Sequence, residues 1–177
     1  ANGDTIRLPA ADSLPPGTVL VQGGDVTVQL PGLEGLAALD LPDYFIDRLE
    51  VTNRAFREFI EAGGYVRDAW WTEPITMDGR VLAPAEAMPR FRDRTGIPGP
   101  RSWADGTYPS ELADHPVTDI SWYEAAAYAA FRGARLPTVF QWEKAARDGQ
   151  VARVLGFVMP WGLVDAPERL NGRANFL

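Results

Sequence analysis

The side chains able to do chemistry in this sequence are few. There is no cysteine and a single histidine, His115. A thiol nucleophile, a thiolate metal site and a disulfide framework are therefore excluded from the chain itself. A His-rich metal site or a Ser–His–Asp triad would have to use His115. It precedes Pro116, which biases its backbone toward an extended conformation. General acid–base work needs a partner within hydrogen-bond reach, and none stands at a local spacing. The expected role of His115 is structural, on the approach to a helix that starts at Ser121. Asp47 and Glu50 stand in the run FIDRLEVTN. Three apart on a strand, they face opposite sides and suit no acid–base pair. One of them is expected to pair with an arginine such as Arg54 or Arg135, because a buried carboxylate without a partner is costly.

The chain has six tryptophans. Trp122, Trp142 and Trp161 lie in helix or junction motifs and are expected in the core. Trp70, Trp71 and Trp103 lie in an irregular stretch, where they are candidates to line a groove for peptide or glycan. The formal charge of −7 argues against a nucleic-acid partner, which needs a basic face. No apolar run approaches the roughly 20 residues of a membrane span, so no membrane insertion is expected. At 177 residues one domain with a real core is expected.

The elements that must position these residues are marked by local signals. Residues 121–124 (SWYE) form a capping box, and residues 138–141 (TVFQ) repeat it with Thr and Gln. Gly133 and Gly149 follow the two helical runs as C′ candidates. A first helix begins at Thr52 or Asn53, with Phe56, Phe59 and Ile60 on its apolar stripe and Gly63 and Gly64 at its end. Residues 43–51 alternate as a strand that puts Phe45, Asp47, Leu49 and Val51 on one face. Residues 18–22 and 25–30 read as a β-hairpin around Gly23 and Gly24, followed by a loop over 31–41. Residues 1–17 read as an arm or linker ahead of a domain spanning 18–177. Residues 151–160 are mostly apolar and read as a short strand or buried loop. Residues 65–114 lose regular periodicity and are punctuated by Gly, Pro and Trp. They serve as functional surface or are held by aromatics packed on the capped helices. The pattern as a whole is α+β.

Residues 121–149, SWYEAAAYAAFRGARLPTVFQWEKAARDG, closely resemble the signature of the formylglycine-generating enzymes, or sulfatase-modifying factors. FIDRLEVTN at 45–53, HPV at 115–117, PWG at 160–162 and ANF at 174–176 resemble further family motifs in the right order. The resemblance covers the first part of the family's domain. It implies a complex C-type-lectin-like (formylglycine-generating-enzyme-like) fold with low regular secondary structure, truncated at the C-terminus. It also implies a calcium site begun by the Asn175 side chain and the Phe176 carbonyl, here half a site. The family's enzymes hold Cu(I) on two cysteines, so copper is not expected in this chain and no catalytic residue carries over.

Three functional readings follow from the resemblance. The chain is the N-terminal portion or subunit of a formylglycine-generating-enzyme-like protein. Or it is a non-enzymatic lectin-like module binding peptide or glycan. In support of the latter, DRTGIPGPRSW…GTYP resembles members fused to bacterial serine/threonine kinases, where the domain looks sensory. Or it belongs with members that use non-haem iron on sulfur substrates, as in ergothioneine biosynthesis, whose iron-binding histidines come from another domain. The first reading implies a companion polypeptide carrying the C-terminal part, or self-association through apolar surface left uncovered around Trp122, Tyr128, Phe131, Phe140 and Trp142. The resemblance favours a periplasmic or extracellular setting.

Overall fold

The computed structural model describes residues 15–28 and 35–147, together with two short strands at 158–159 and 162–163. In chain order the elements are β1 (Thr18–Val21), β2 (Gly24–Val26), β3 (Leu39–Leu41), β4 (Tyr44–Asp47) and α1 (Asn53–Glu61). Next come β5 (Thr76–Met77), β6 (Arg80–Val81), α2 (Pro84–Ala87), α3 (Trp122–Phe131), α4 (Val139–Arg147), β7 (Val158–Met159) and β8 (Gly162–Leu163). Short helices and two-stranded sheets joined by ordered loop make this an α+β chain. Residues 49–136 form one compact unit, and residues 1–48 with 137–177 form a second.

In the second unit, β1 pairs antiparallel with β4, and β2 with β3. The hairpin expected between residues 18–22 and 25–30 is therefore not formed, and the loop expected over 31–41 contains a strand. The two ladders share one register. Continued past Val21↔Tyr44, the first ladder would bring Gln22 to Asp43 and Gly23 to Pro42, and the next pair would be Gly24↔Leu41, as observed. A single antiparallel ribbon is thus interrupted at Gly23 and Pro42. Pro42 has no N–H to donate to a ladder. Gly23 passes so close that an added Cβ would lie 2.2 Å from the Leu41 carbonyl oxygen. The Asp43 side chain accepts the Gly23 N–H at 2.7 Å and closes the break. The strand expected over 43–51 ends at Asp47, and its more buried face is Tyr44 and Ile46. Asp47 shares a face with Phe45, as expected, and that face is the exposed one.

The helix α4 of the same unit starts as anticipated. Thr138 Oγ1 accepts from the Gln141 N–H at 3.2 Å, and Gln141 Oε1 accepts from the Thr138 N–H at 2.9 Å. The Tyr44 hydroxyl donates to the Gln141 carbonyl and ties β4 to this helix. Gly149, residues 1–14, Trp161 and most of 151–160 lie outside the described residues. Within that last run, β7 pairs with β8.

The unit of residues 49–136 is built on α1 and α3. Thr52 caps α1 by accepting from the Ala55 N–H. Phe56 and Phe59, three apart on one helical face, are completely buried. Each contributes about 1.5–3 kcal/mol by leaving water. Ser121 begins α3 with both halves of the capping box formed. Tyr128 stacks on Phe56 and meets Phe59 edge-on, with ring centroids 5.5 Å and 6.0 Å apart. Small Ala127 and Ala129 let this face pack closely, and both are buried. Gly64 returns the chain across the Phe59 ring, where a Cβ would come within 2.6 Å of it. That close approach explains why glycine follows the helix here.

Residues 65–114 are ordered by aromatic packing on these two helices. Trp70 meets Phe59 and Phe131, Trp71 stacks on Phe91, and Trp103 meets Phe56 and Tyr108. Two Asp-Gly turns organise the rest. Asp78 and Gly79 link β5 to β6, and Asp105 and Gly106 link Ala104 to Thr107. All four have positive φ, the conformation that two-residue hairpin turns require. No helix among the described residues is long and apolar enough to cross a membrane.

Candidate functional site

Three buried polar centres hold the unit of residues 49–136. The first is Asn53. Its backbone N–H donates to the His115 carbonyl at 2.9 Å. Its side-chain amide donates to the carbonyls of Leu112, His115 and Pro116 at 2.9, 3.2 and 3.4 Å. Its Oδ1 accepts from Trp103 Nε1 at 2.8 Å. The neighbouring residues extend the seam, with Thr52 bridging Pro116 and the Val117 N–H donating to the Val51 carbonyl. The EVTN run and the HPV run are therefore two sides of one lock. His115 has a structural part, as expected, but through its carbonyl and at the start of α1, while its side chain is exposed.

The second centre is Glu124. One oxygen accepts from the Ser121 N–H at 2.7 Å to complete the capping box, and the other accepts from the Tyr65 hydroxyl at 2.6 Å. Burial, then the Glu124 charge and hydrogen bond, push the Tyr65 phenol far above its ordinary value. It stays a neutral donor. The third centre is Asp93. Oδ1 accepts from the Thr95 N–H, the Thr95 hydroxyl and the Ile97 N–H, at 2.8, 2.8 and 3.0 Å. Oδ2 accepts from the Gly106 N–H at 2.8 Å. Burial opposes ionisation, but these hydrogen bonds outweigh it and bring Asp93 down to about 2.

None of these centres presents a reactive group to a ligand. The expected partnership of Glu50 with Arg54 is not formed. Arg54 makes a two-pronged ion pair with Asp114 at 2.9 and 3.0 Å, and Asp47 and Glu50 are exposed. Among the described residues, no group of three or more His, Cys, Asp or Glu could hold a metal ion. Asn175 and Phe176 lie outside the described residues. Copper fails on donor chemistry, because soft thiolates are its natural ligands and the chain has no cysteine.

The tryptophans divide differently from expectation. Trp103 is 2% exposed and bonded to Asn53, so it is a core residue. Trp122 and Trp142, expected in the core, are 56% and 53% exposed. Of the other side chains expected at an uncovered patch, Tyr128 is buried and Phe131 and Phe140 are partly buried. Trp70 is half-buried against Phe59 and Phe131, with the Arg67 guanidinium over its ring. Of the three groove candidates, Trp71 lines a cleft of about 260 Å³.

That cleft is a half-open recess in the unit of residues 49–136. Trp71 is fixed in it by a 2.7 Å bond from its indole N–H to the Gly64 carbonyl and by stacking on Phe91. Ile75 and Leu82 are the buried part of the lining, joined by the Leu82 N–H to Ile75 carbonyl bond at 2.8 Å. Met88, Pro74 and Pro84 add apolar wall, and exposed Asp68 and Glu73 supply the charge. A proline- and tryptophan-lined recess with two carboxylates can bind a short peptide by shape and charge. Sequence reasoning found Trp71 but missed the other lining residues. The available signal was the Asp78–Gly79 turn, whose hairpin brings Leu82 beside Ile75.

A domain of short helices and small sheets, locked by an EVTN–HPV seam and a capping box whose Glu holds a buried Tyr, defines the class. The chain belongs to the sulfatase-modifying factor enzyme 1-like domain family, whose model matches residues 6–168. Among curated proteins it is 35% identical over 163 residues to the formylglycine-generating enzyme of Thermomonospora curvata, covering 85% of this chain and 51% of that protein. It is 34% identical over 133 residues to hercynine oxygenase of Mycobacterium tuberculosis, covering 71% of this chain and 28% of that protein. It is 32% identical over 172 residues to the inactive C-alpha-formylglycine-generating enzyme 2 of Mus musculus, covering 81% of this chain and 53% of that protein. The chain thus spans between about a quarter and a half of these relatives.

Proposed function

We propose that this chain is the scaffold and peptide-binding part of a formylglycine-generating-enzyme-like protein, on a C-type-lectin-like framework, and that it supplies no redox centre. The observation that carries the reading is the cleft at Trp71. Its lining is mixed, with Trp71, Ile75, Leu82, Met88 and two prolines beside Thr72, its charged residues are both acidic, and Trp71 is held by Gly64 and Phe91. An extended peptide with a basic side chain beside a small apolar one fits that chemistry. Affinity would come from burial on Trp71, Ile75 and Leu82, and selectivity from Asp68 and Glu73.

The absence of cysteine removes copper–thiolate chemistry from the chain, and its one histidine is exposed. The relatives include a formylglycine-generating enzyme and a hercynine oxygenase; on this reading these residues position a substrate and the redox centre lies elsewhere. Exposed Trp122 in one unit and exposed Trp142 in the other are each open to a companion polypeptide or a second copy of the chain. Calcium held through Asn175 and Phe176 would need further oxygen donors, about six to eight in all.

The reading is tested by fluorescence anisotropy with a labelled Arg-Pro-containing peptide and its Glu-substituted counterpart. The basic peptide should bind, the acidic one should not, and Asp68→Asn with Glu73→Gln should weaken binding at least tenfold. Equal binding of both peptides, or no effect of the double substitution, would remove the assignment.

A further inference from the structure

A stripe of exposed arginines stands out in an acidic chain. The formal charge is −7, yet residues 90–101 contain Arg90, Arg92, Arg94 and Arg101 and a single acid, Asp93. The backbone sorts these residues cleanly. Phe91 and Asp93 are buried, and Arg92 and Arg94 are exposed. The Asp93 carboxylate is consumed by Thr95, Ile97 and Gly106, so it is turned away from the arginines beside it.

The two arginines are held by neutral groups. Arg92 donates from Nε to the Pro89 carbonyl at 2.9 Å and from Nη1 to the Gly96 carbonyl at 2.6 Å. Arg94 donates from Nε to the Trp103 carbonyl at 3.4 Å. Arg54 and Arg80 pair with Asp114 and Glu86, whereas Arg92 and Arg94 are held by carbonyls. A guanidinium has five N–H donors. These contacts orient each fork while leaving donors and the full positive charge outward. The two Cα atoms, two residues apart, are at most about 7 Å from each other.

We propose that Arg92 and Arg94 form a docking surface for an extended acidic segment of a partner protein, with carboxylates at alternate positions. Alternate side chains of an extended peptide point the same way and repeat at about 7 Å, the reach of this pair. Arginine is suited to two-pronged carboxylate bonds, and here part of its side-chain entropy is already lost to the carbonyl contacts. The net charge of the chain disfavours a long polyanion, because a nucleic acid would meet repulsion beyond the stripe, whereas a segment with two or three carboxylates would meet less. This surface is separate from the acidic cleft at Trp71 and attracts the opposite charge.

The test is anisotropy of a fluorescein-labelled Glu-Gly-Glu-Gly-Glu peptide on the intact chain. Binding is expected, falling as sodium chloride is raised. It should weaken at least tenfold in R92E/R94E and stay unchanged in R48E, which reverses an exposed arginine elsewhere. Because Arg92 also braces its own turn, Arg94→Ala is measured in parallel. It gives up one long bond, should keep the native melting temperature, and should weaken binding at least threefold. No saturable binding, equal loss in R48E, no loss in Arg94→Ala, or equally tight binding of a thymidine oligonucleotide of the same charge would each overturn the proposal.

Discussion

Tyr65 donates a 2.6 Å hydrogen bond to Glu124, and both side chains are buried. The same carboxylate closes the capping box on Ser121. One side chain therefore ties the start of α3 to the loop after α1. Glu124→Ala should destabilise by about 2–4 kcal/mol, since it removes one half of the capping box and a charge-assisted bond and leaves the Tyr65 hydroxyl buried without an acceptor. Tyr65→Phe should cost less, because Glu124 keeps its Ser121 bond. Chemical denaturation of both variants checks the order.

The Tyr65 phenol also sets an alkaline limit. Its folded value is raised above the ordinary 10.0, so the native state keeps the proton while the unfolded chain loses it. That contribution is complete below about pH 10 and is lost progressively as pH rises above it toward the folded value. Wild-type stability should fall more steeply above pH 10 than that of Tyr65→Phe. Parallel melts across pH 9–11 with identical slopes would contradict the assignment.

Asp93 works in the opposite direction. Its value is depressed from 3.8 to about 2. Its contribution is present above about pH 4 and is lost as pH falls through 2. Asp93→Asn should be less stable than wild type at neutral pH and should show a flatter acid limb. Asp93→Ala should cost about 2–4 kcal/mol through the donors it leaves without an acceptor. Acid titration followed by far-UV circular dichroism measures both.

Asn53 is predicted to tolerate no close analogue. Asn53→Asp keeps an acceptor for Trp103 but faces the Leu112, His115 and Pro116 carbonyls with a second oxygen instead of a donor. It should be at least as destabilising as Asn53→Ala, by about 2–4 kcal/mol. A thermal melt of Asn53→Asp near wild type would show that the seam between the EVTN and HPV runs does not hold the unit.

The helices of this fold are legible in sequence because capping is local. Thr52, Ser121 and Thr138 each bond within three residues of their own position. The strand pairing was not legible. Gly23 and Gly24 imitate a hairpin turn, whereas the real partner of β1 lies beyond β3, and only register settles that. Burial of the tryptophans was misjudged for a related reason. Trp103 is buried because distant Phe56 and Asn53 meet it, and Trp122 sits at the first position of α3, with no local signal that its ring faces out. Asp93 could have been found, since Asp followed two residues later by Thr is a common local turn contact.

The central claim is that these residues bind a peptide without oxidising it. Mass spectrometry of a cysteine-containing sulfatase peptide, incubated with the purified chain, Cu(I), reductant and oxygen, tests this most directly. The account predicts that the peptide cysteine is recovered unchanged, with no hydrazide-reactive aldehyde above a protein-free control. Aldehyde formation that scales with the concentration of the chain would contradict it.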